Sequence, residues 1–306
     1  MNTKLAPIAL FAYNRPKHLQ RTIEALQANL LSKKSNLIVF SDGAKNEAVA
    51  PQVGEVRRYL KSVDGFCSVT VIEQKTNKGL ADSIIGGVSE VIKEFGKIIV
   101  LEDDILVSPH FLDYMNEALN LYEDTDKVGS VNAYMYPIKD LPETFFMRAS
   151  DCWGWGTWQR AWRLFVGDGA YLLEKIIKND LVEVFDFYNS YPYLQMLKDQ
   201  IKGKNDSWAI RWTASLLLEG KLGLYPGKSL TWNAGLDASG VHCGSDDKKK
   251  FGSIEDLSNT KVRPVDLTED VKSARRIGDY MRQKIRPSVF RRVCGFLATI
   301  QKQILR

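Results

Sequence analysis

Three carboxylates in a row, Glu102-Asp103-Asp104, stand directly after the apolar run Ile98-Ile99-Val100-Leu101. Such a run reads as a strand buried on both faces, as inside a parallel sheet. In open α/β sheets the ligand crevice lies just beyond the carboxyl ends of the strands. Three acids crowded there repel one another, so a positive charge is expected among them. Carboxylate oxygens suit a hard divalent cation, Mg2+ or Mn2+. The competing reading is a solvated acidic helix start, because acids offset the dipole at a helix N-terminus and Ser108-Pro109 opens a helix soon after.

The rest of the chain must position these acids. Ile8–Ala12 is an apolar run ending in Tyr13-Asn14-Arg15-Pro16, and Leu19, Ile23, Leu26 and Leu30 then recur at helical spacing. A second run, Leu37–Phe40, ends in Ser41-Asp42-Gly43, and a weakly amphipathic helix is expected over residues 53–63. A third run, Val69–Ile72, leads to Thr76-Asn77-Lys78-Gly79, where Asn77 is positioned to cap a helix reaching Phe95. A helix over residues 109–122 follows the acids, and Val128–Val131 and Phe145–Met147 read as further strands. Strands alternating with helices imply βαβ units, hence an α/β fold with a mostly parallel central sheet flanked by helices. The polar ends Asn14-Arg15, Asp42-Gly43, Asn77-Lys78 and Glu102-Asp103-Asp104 then line one sheet edge as the wall of a crevice.

Two ligand classes are excluded. The turn after the first run reads Ala12-Tyr13-Asn14-Arg15-Pro16-Lys17, without the glycines of a dinucleotide-binding turn, and no P-loop occurs. Phosphates, if bound, would be held by a metal and not by a cradle of backbone amides.

Composition fits a globular domain, with 44% apolar and 26% charged residues. No run approaches a membrane span, and the first strand begins so early that no cleavable leader is expected. The four cysteines, Cys67, Cys152, Cys243 and Cys294, form no CxxC pair, which predicts free thiols and no structural zinc. The net charge of +5 is uneven: from Val271 onward ten Lys and Arg face one acid, Asp279, so the first 270 residues are net acidic. That excludes a nucleic-acid-binding domain. The tail carries an apolar stripe, Val289, Val293, Leu297, Ile300 and Ile304, flanked by arginines and lysine. A basic amphipathic helix of this kind lies on an anionic membrane surface or packs on protein. The expected organisation is a domain over residues 1–260, divided near 132, and a helical tail over 261–306. The expected location is the cytoplasm, with peripheral contact at the inner membrane face.

Taken in order, strand plus Asn-Arg-Pro, strand plus Ser-Asp-Gly, Asn-Lys-Gly-Leu-Ala and Val-Leu-Glu-Asp-Asp resemble the nucleotide-sugar half of GT-A glycosyltransferases. The Glu-Asp-Asp form is most similar to the N-acetylglucosaminyltransferase I branch and bacterial polysaccharide enzymes like it. The similarity runs from about Pro7 to Gly244. It implies a nucleotide-sugar donor, with uridine as its base, and a saccharide or lipid-linked saccharide acceptor. By that resemblance Asp104 binds the metal, Glu102 and Asp103 orient its waters and the ribose, Asp42 contacts the base, and Arg15 lies near the same nucleotide.

Three later segments complete the expectation. Trp153-Gly154-Trp155-Gly156 alternates tryptophan with glycine, which packs a core poorly and suits the apolar face of a sugar. The resemblance agrees, since a loop of this composition borders the sugar pocket in the family. Asp206-Ser207-Trp208 opens a helix, where Asp206 is either an N-cap or, by resemblance, the base that deprotonates the acceptor hydroxyl; Asp151 is the alternate base. His242, between glycines, resembles the C-terminal histidine that meets the metal or diphosphate in many such enzymes. Two other classes stay open, a sugar-phosphate nucleotidyltransferase, which should carry a glycine-rich loop absent here, and a non-catalytic carbohydrate-binding protein.

Overall fold

The computed structural model describes residues 5–237 and 250–285. Its first half alternates strand and helix: β1 (Ile8–Ala12), α1 (Pro16–Gln27), β2 (Asn36–Ser41), α2 (Ala50–Leu60), β3 (Ser68–Glu73), α3 (Leu80–Phe95) and β4 (Lys97–Glu102). Short β5 (Ile105–Val107), α4 (Phe111–Leu121), β6 (Val128–Asn132), β7 (Thr144–Met147) and β8 (Trp155–Trp158) follow. Then come α5 (Gln159–Trp162), α6 (Gly169–Lys178), α7 (Val182–Phe185), α8 (Tyr193–Ile201), α9 (Trp208–Leu218), β9 (Leu222–Pro226), β10 (Thr231–Asn233) and α10 (Val271–Tyr280).

Eight strands form one sheet in the order β3-β2-β1-β4-β8-β6-β9-β7, and β5 pairs with β10 in a separate antiparallel ribbon. Within the large sheet only β8 and β7 run against the other six, so the expected mostly parallel α/β sheet is present. Alternation along β1 explains why the sheet has a core on each face. Ile8, Leu10 and Ala12 pack with Leu19, Ile23 and Leu26 of α1, while Ala9 and Phe11 pack with Ile84 and Val88 of α3. Gly87 lets α3 lie close to the sheet: a Cβ there would come within 2.7 Å of the Phe11 ring.

The tryptophan–glycine segment departs from expectation in its second half. Trp155 and Gly156 belong to β8, inserted antiparallel between β4 and β6, while Trp153 and Gly154 precede the strand. Gly156 permits this, since a Cβ would stand 2.8 Å from the Ile98 carbonyl oxygen. Residues 261–285 also pack on the sheet-containing body: Val262, Val265 and Leu267 lie against the main core, and Ala274, Ile277 and Met281 against Met135, Phe145 and Tyr225. The amphipathic stripe from Val289 to Ile304 lies outside the described residues. Among the described residues no helix is long and apolar enough to cross a membrane.

Candidate active site

Parallel pairing of β1 with β4, in register Phe11 to Glu102, brings the segment after β1 against the acids after β4. The positive charge that the acids require comes from the chain itself. Arg15 spans two of them: its Nη2 contacts Asp103 Oδ1, and its Nη1 donates to Asp104 Oδ2 at 2.8 Å. Three further bonds fix the same turn: Tyr13 N donates to Asp103 Oδ2 (3.2 Å), the Thr22 hydroxyl to the Asp103 carbonyl (2.9 Å) and Ala234 N to the Asp104 carbonyl (2.7 Å). Asp104 Oδ1 is buried and has no hydrogen-bond partner among the described residues. The Glu102 carboxylate has no hydrogen-bond or ion-pair partner among the described residues.

The electrostatics follow from this crowding. Burial, then repulsion from Asp104 and Asp103, pushes the Glu102 carboxyl up to about 8 against the pull of Arg15. Burial raises Asp103 to about 6, although Arg15 opposes it. Burial works against the Arg15 charge as well, yet Asp103 and Asp104 outweigh it and hold the guanidinium above its ordinary value. The fit to a divalent cation is therefore partial but specific. The donors are hard oxygens, and Asp104 Oδ1 is an orphaned buried acceptor. Its other oxygen and Asp103 are engaged by Arg15, and among the described residues no three acid, imidazole or thiol groups converge as a ready-made metal cluster. A cation held here would use Asp104 Oδ1, with Glu102 beside it and the rest of its shell from ligand or water.

Asp42 has a structural task at the neighbouring strand end. Its Oδ1 accepts from Gly43 N (2.8 Å) and Lys78 N (2.9 Å), and its Oδ2 from Asn77 Nδ2 (2.8 Å) and Gly79 N (3.0 Å). This clamps the turn before α3 to the end of β2. Asn77 is consequently not the cap of α3, a position taken by Gly79 without a side-chain bond. Asn14 is half-buried and Lys78 exposed at this same edge.

The tryptophans divide. Trp155 is fully buried, stacked on Trp208 at 5.2 Å and close to Trp162 and Trp212, so its expected sugar contact is corrected: it is core. A strand residue inside a sheet points one face or the other into a core, and here that is the α3–α9 side. Trp153 remains half-buried, edge-on to Tyr134 and Phe251. Gly154 adopts φ +85°, and a Cβ would meet Thr231 at 2.7 Å.

Asp151 lies just ahead of this strand. Its N donates to Asn132 Oδ1 (2.9 Å) and its Oδ1 accepts from Trp153 N (2.7 Å). Burial raises its carboxyl to about 6, and it stands near enough to Glu102 to add to that residue's upward shift. Asp206 is 74% exposed and only 3.8 Å from Arg211, while Ser207, not Asp206, caps α9 through Ile210 N. The Trp208–Trp155 stack holds the start of α9 against β8, where Trp155 pairs with Val100; among the described residues Asp206 makes no contact with the acidic group, its one ion pair being with Arg211. His242 lies outside the described residues.

Sequence reasoning missed the pairing of Arg15 with Asp103 and Asp104, and a group of tyrosines, Tyr134, Tyr136, Tyr193 and Tyr225, around Asp151. The three acids signalled that a cation was needed, but no local spacing signals the tyrosines.

A family model described as "Glycosyl transferase family 2" matches residues 8–162, half of the 306-residue chain. No curated protein matches the chain in sequence. Among solved structures, a mannosyltransferase of Pyrobaculum calidifontis in complex with GDP-Man and Mn2+ is 12% identical, with a TM-score of 0.35, over 57% of this chain and 50% of that one. A fragment of TarS of S. aureus is 11% identical, with a TM-score of 0.42, over 76% of this chain and 62% of that one. The chain thus spans half to three-fifths of the length of these proteins. With the parallel strands, the acids at their carboxyl edge and a family model covering that whole half, the chain belongs to glycosyl transferase family 2 and has a GT-A fold.

Proposed function

We propose that the enzyme transfers a sugar, with inversion, from a nucleoside-diphosphate sugar to a hydroxyl of a saccharide or lipid-linked saccharide acceptor, in surface polysaccharide synthesis. The observation that carries this reading is the buried Asp104 Oδ1, without a partner among the described residues, in an acidic group at the sheet's carboxyl edge. Asp104 would hold Mn2+ or Mg2+, with Glu102 and Asp103 adjacent. Bound there, the cation supplies Lewis-acid stabilisation of the departing diphosphate. Arg15 contributes a second positive charge at the same place, and Asn14, the Asp42 clamp, Asn77 and Lys78 form the nucleotide side of the crevice. UDP is the nucleotide favoured by the resemblance, and the GDP-Man complex of the Pyrobaculum calidifontis mannosyltransferase makes GDP the first alternative to test.

Asp206 is the proposed general base. Its carboxylate is exposed and weakly paired, hence free to accept a proton from an incoming hydroxyl. Such assistance contributes about 10²–10⁴-fold. Asp151, buried beside Glu102, is the alternate, with Trp153 and Gly154 on the sugar side of it. His242 is assigned to the metal or diphosphate, and the basic stripe ending at Ile304 to the inner membrane face, where a lipid-linked acceptor would be met.

The test is a thermal-shift panel of UDP- and GDP-sugars with and without Mn2+. The wild-type enzyme should show a nucleotide shift that chelator removes. Asp104→Asn should lose the metal-dependent part, and Asp206→Asn should keep it while turnover falls by at least about 100-fold. A chelator-insensitive nucleotide shift in wild type would refute the metal assignment, and full turnover by Asp206→Asn would move the base to Asp151.

A further inference from the structure

Arg15 takes the carboxylate oxygens that a hard cation needs. Its guanidinium spans two acids, with Nη2 on Asp103 Oδ1 and Nη1 donating to Asp104 Oδ2 at 2.8 Å. Both Asp103 oxygens are engaged, since Tyr13 N donates to Oδ2. Of the Asp104 oxygens, Arg15 holds Oδ2, and Oδ1 has no partner among the described residues. On Oδ1 alone, a divalent cation faces the guanidinium across a single carboxylate, and like charges so close repel. Metal and guanidinium therefore compete for Asp104.

Of the two, the arginine is the part free to move. The acids are buried, and their backbone is fixed by the Thr22 hydroxyl on the Asp103 carbonyl and by Ala234 N on the Asp104 carbonyl. Arg15 is partly exposed and stands between β1 and α1, at the N-cap position, where its side chain makes no capping bond. Among the described residues its guanidinium bonds only these two acids. A long side chain held at its tip alone can change rotamer without moving the backbone. The donor of the proposed reaction offers that tip another partner. A diphosphate presents oxygens that a guanidinium grips in the same two-pronged way as carboxylates.

We propose that Arg15 is an exchangeable counter-ion: it neutralises Asp103 and Asp104 until the donor binds, then turns to the diphosphate and releases Asp104 to the divalent cation. The inference rests on the metal-dependent transferase reading above. It gives Arg15 a task that a fixed second charge does not have. Diphosphate opens the metal site by drawing the guanidinium off, so each ligand raises the affinity of the other, by the same factor in both directions. Without donor, the arginine keeps the acids from taking up metal. A lysine at this position keeps the charge but, as a point charge, spans only one of the two acids.

Titration of the full chain with Mn2+, free ion being read by electron paramagnetic resonance, tests this without turnover. The conditions are Mn2+ alone, with UDP, with GDP, and with uridine, which lacks the diphosphate; Mn2+ held by the nucleotide in buffer is subtracted. In the wild type, UDP or GDP should tighten Mn2+ binding by at least about 10-fold, and uridine should leave it unchanged. Arg15→Gln should bind Mn2+ alone at least about 10-fold more tightly than the wild type, and the nucleotide should add less to it. Arg15→Lys should show the same change in smaller measure, and it carries the test if the glutamine variant does not fold. Adding Asp104→Asn to Arg15→Gln should remove the gain. Equal or weaker affinity of both variants for Mn2+ alone, a nucleotide effect as large in Arg15→Gln as in the wild type, or a gain that survives Asp104→Asn would each overturn the exchange, while nucleotide-dependent Mn2+ binding by the wild type would keep the transferase reading standing. No Mn2+ binding by the wild type with either nucleotide would bring down the exchange and the metal assignment together.

Discussion

Replacing Arg15 by Gln removes the guanidinium that pairs with Asp103 and Asp104, and its consequence can be worked from the geometry. Arg15 is ion-paired with Asp103 and Asp104, and the three side chains are 24%, 3% and 9% exposed. Breaking a buried ion pair by removing one partner costs about 3–5 kcal/mol; with Arg15 a quarter exposed, the lower end, about 3 kcal/mol, applies to this site. At about 2–4 °C per kcal/mol, the range for proteins of about 150–250 residues, the melting temperature should fall by about 6–12 °C. The pH dependence has a fixed sign. Glu102 and Asp103 already have folded-state values raised to about 8 and about 6, so the native state binds more protons than the unfolded chain between about pH 4 and 8. Stability from these groups therefore falls as pH rises, and removing Arg15 raises both values further. The gap between variant and wild type should be largest at pH 8 in chelator and narrow toward pH 5. Mn2+ should stabilise the variant more than the wild type, because the cation no longer competes with a guanidinium for Asp104; saturation at 100 times Kd corresponds to about 2.7 kcal/mol. Thermal melts across pH 5–8, with chelator and with Mn2+, read all three. Equal melting of the two proteins at pH 8, or a gap that does not change with pH, would refute the electrostatic account.

Two further outcomes are expected. Asp151→Asn keeps an acceptor for Trp153 N but removes a buried charge; since burial raises Asp151 from 3.8 to about 6, the variant should exceed wild-type stability by up to about 3 kcal/mol above pH 7. That advantage should vanish below pH 4, where the wild-type carboxyl is protonated in both states, and denaturant unfolding at pH 4 and 7.5 measures it. Asp42→Ala removes the acceptor of four donors around the Asn77-Lys78-Gly79 turn, so amide exchange at Lys78 and Gly79 should accelerate by at least about 10-fold, with Asp42→Asn restoring part of the protection.

Much of the site was legible because its signals are local. Acids immediately after a β-branched run mark a strand end, and helical spacing from Leu19 to Leu26 marks the element that must cover β1. Other readings failed where a local rule met a distant partner. Asn77 has the chemistry of a helix cap, but Asp42, 35 residues away, takes its amide. Glycines between tryptophans suggested an open loop. The closeness of the Ile98 carbonyl shows that Gly156 serves strand pairing instead, with Trp155 filling the core below α9. Asp206 looked like a cap, while the shorter hydroxyl of Ser207 reaches Ile210 N.

By itself, the order of residues determined the alternation of strands and helices, the edge on which polar groups collect, and the need for positive charge beside Glu102-Asp103-Asp104. Those features follow from side-chain period and from repulsion between neighbours in the chain, both short-range. Only the tertiary structure decided that Arg15 supplies the charge across 88 residues, that Asp104 keeps one oxygen unclaimed, and that tyrosines from β9, from α8 and from the segment after β6 gather around Asp151. Such meetings are set by strand order and register, which bring together residues that no sequence period relates.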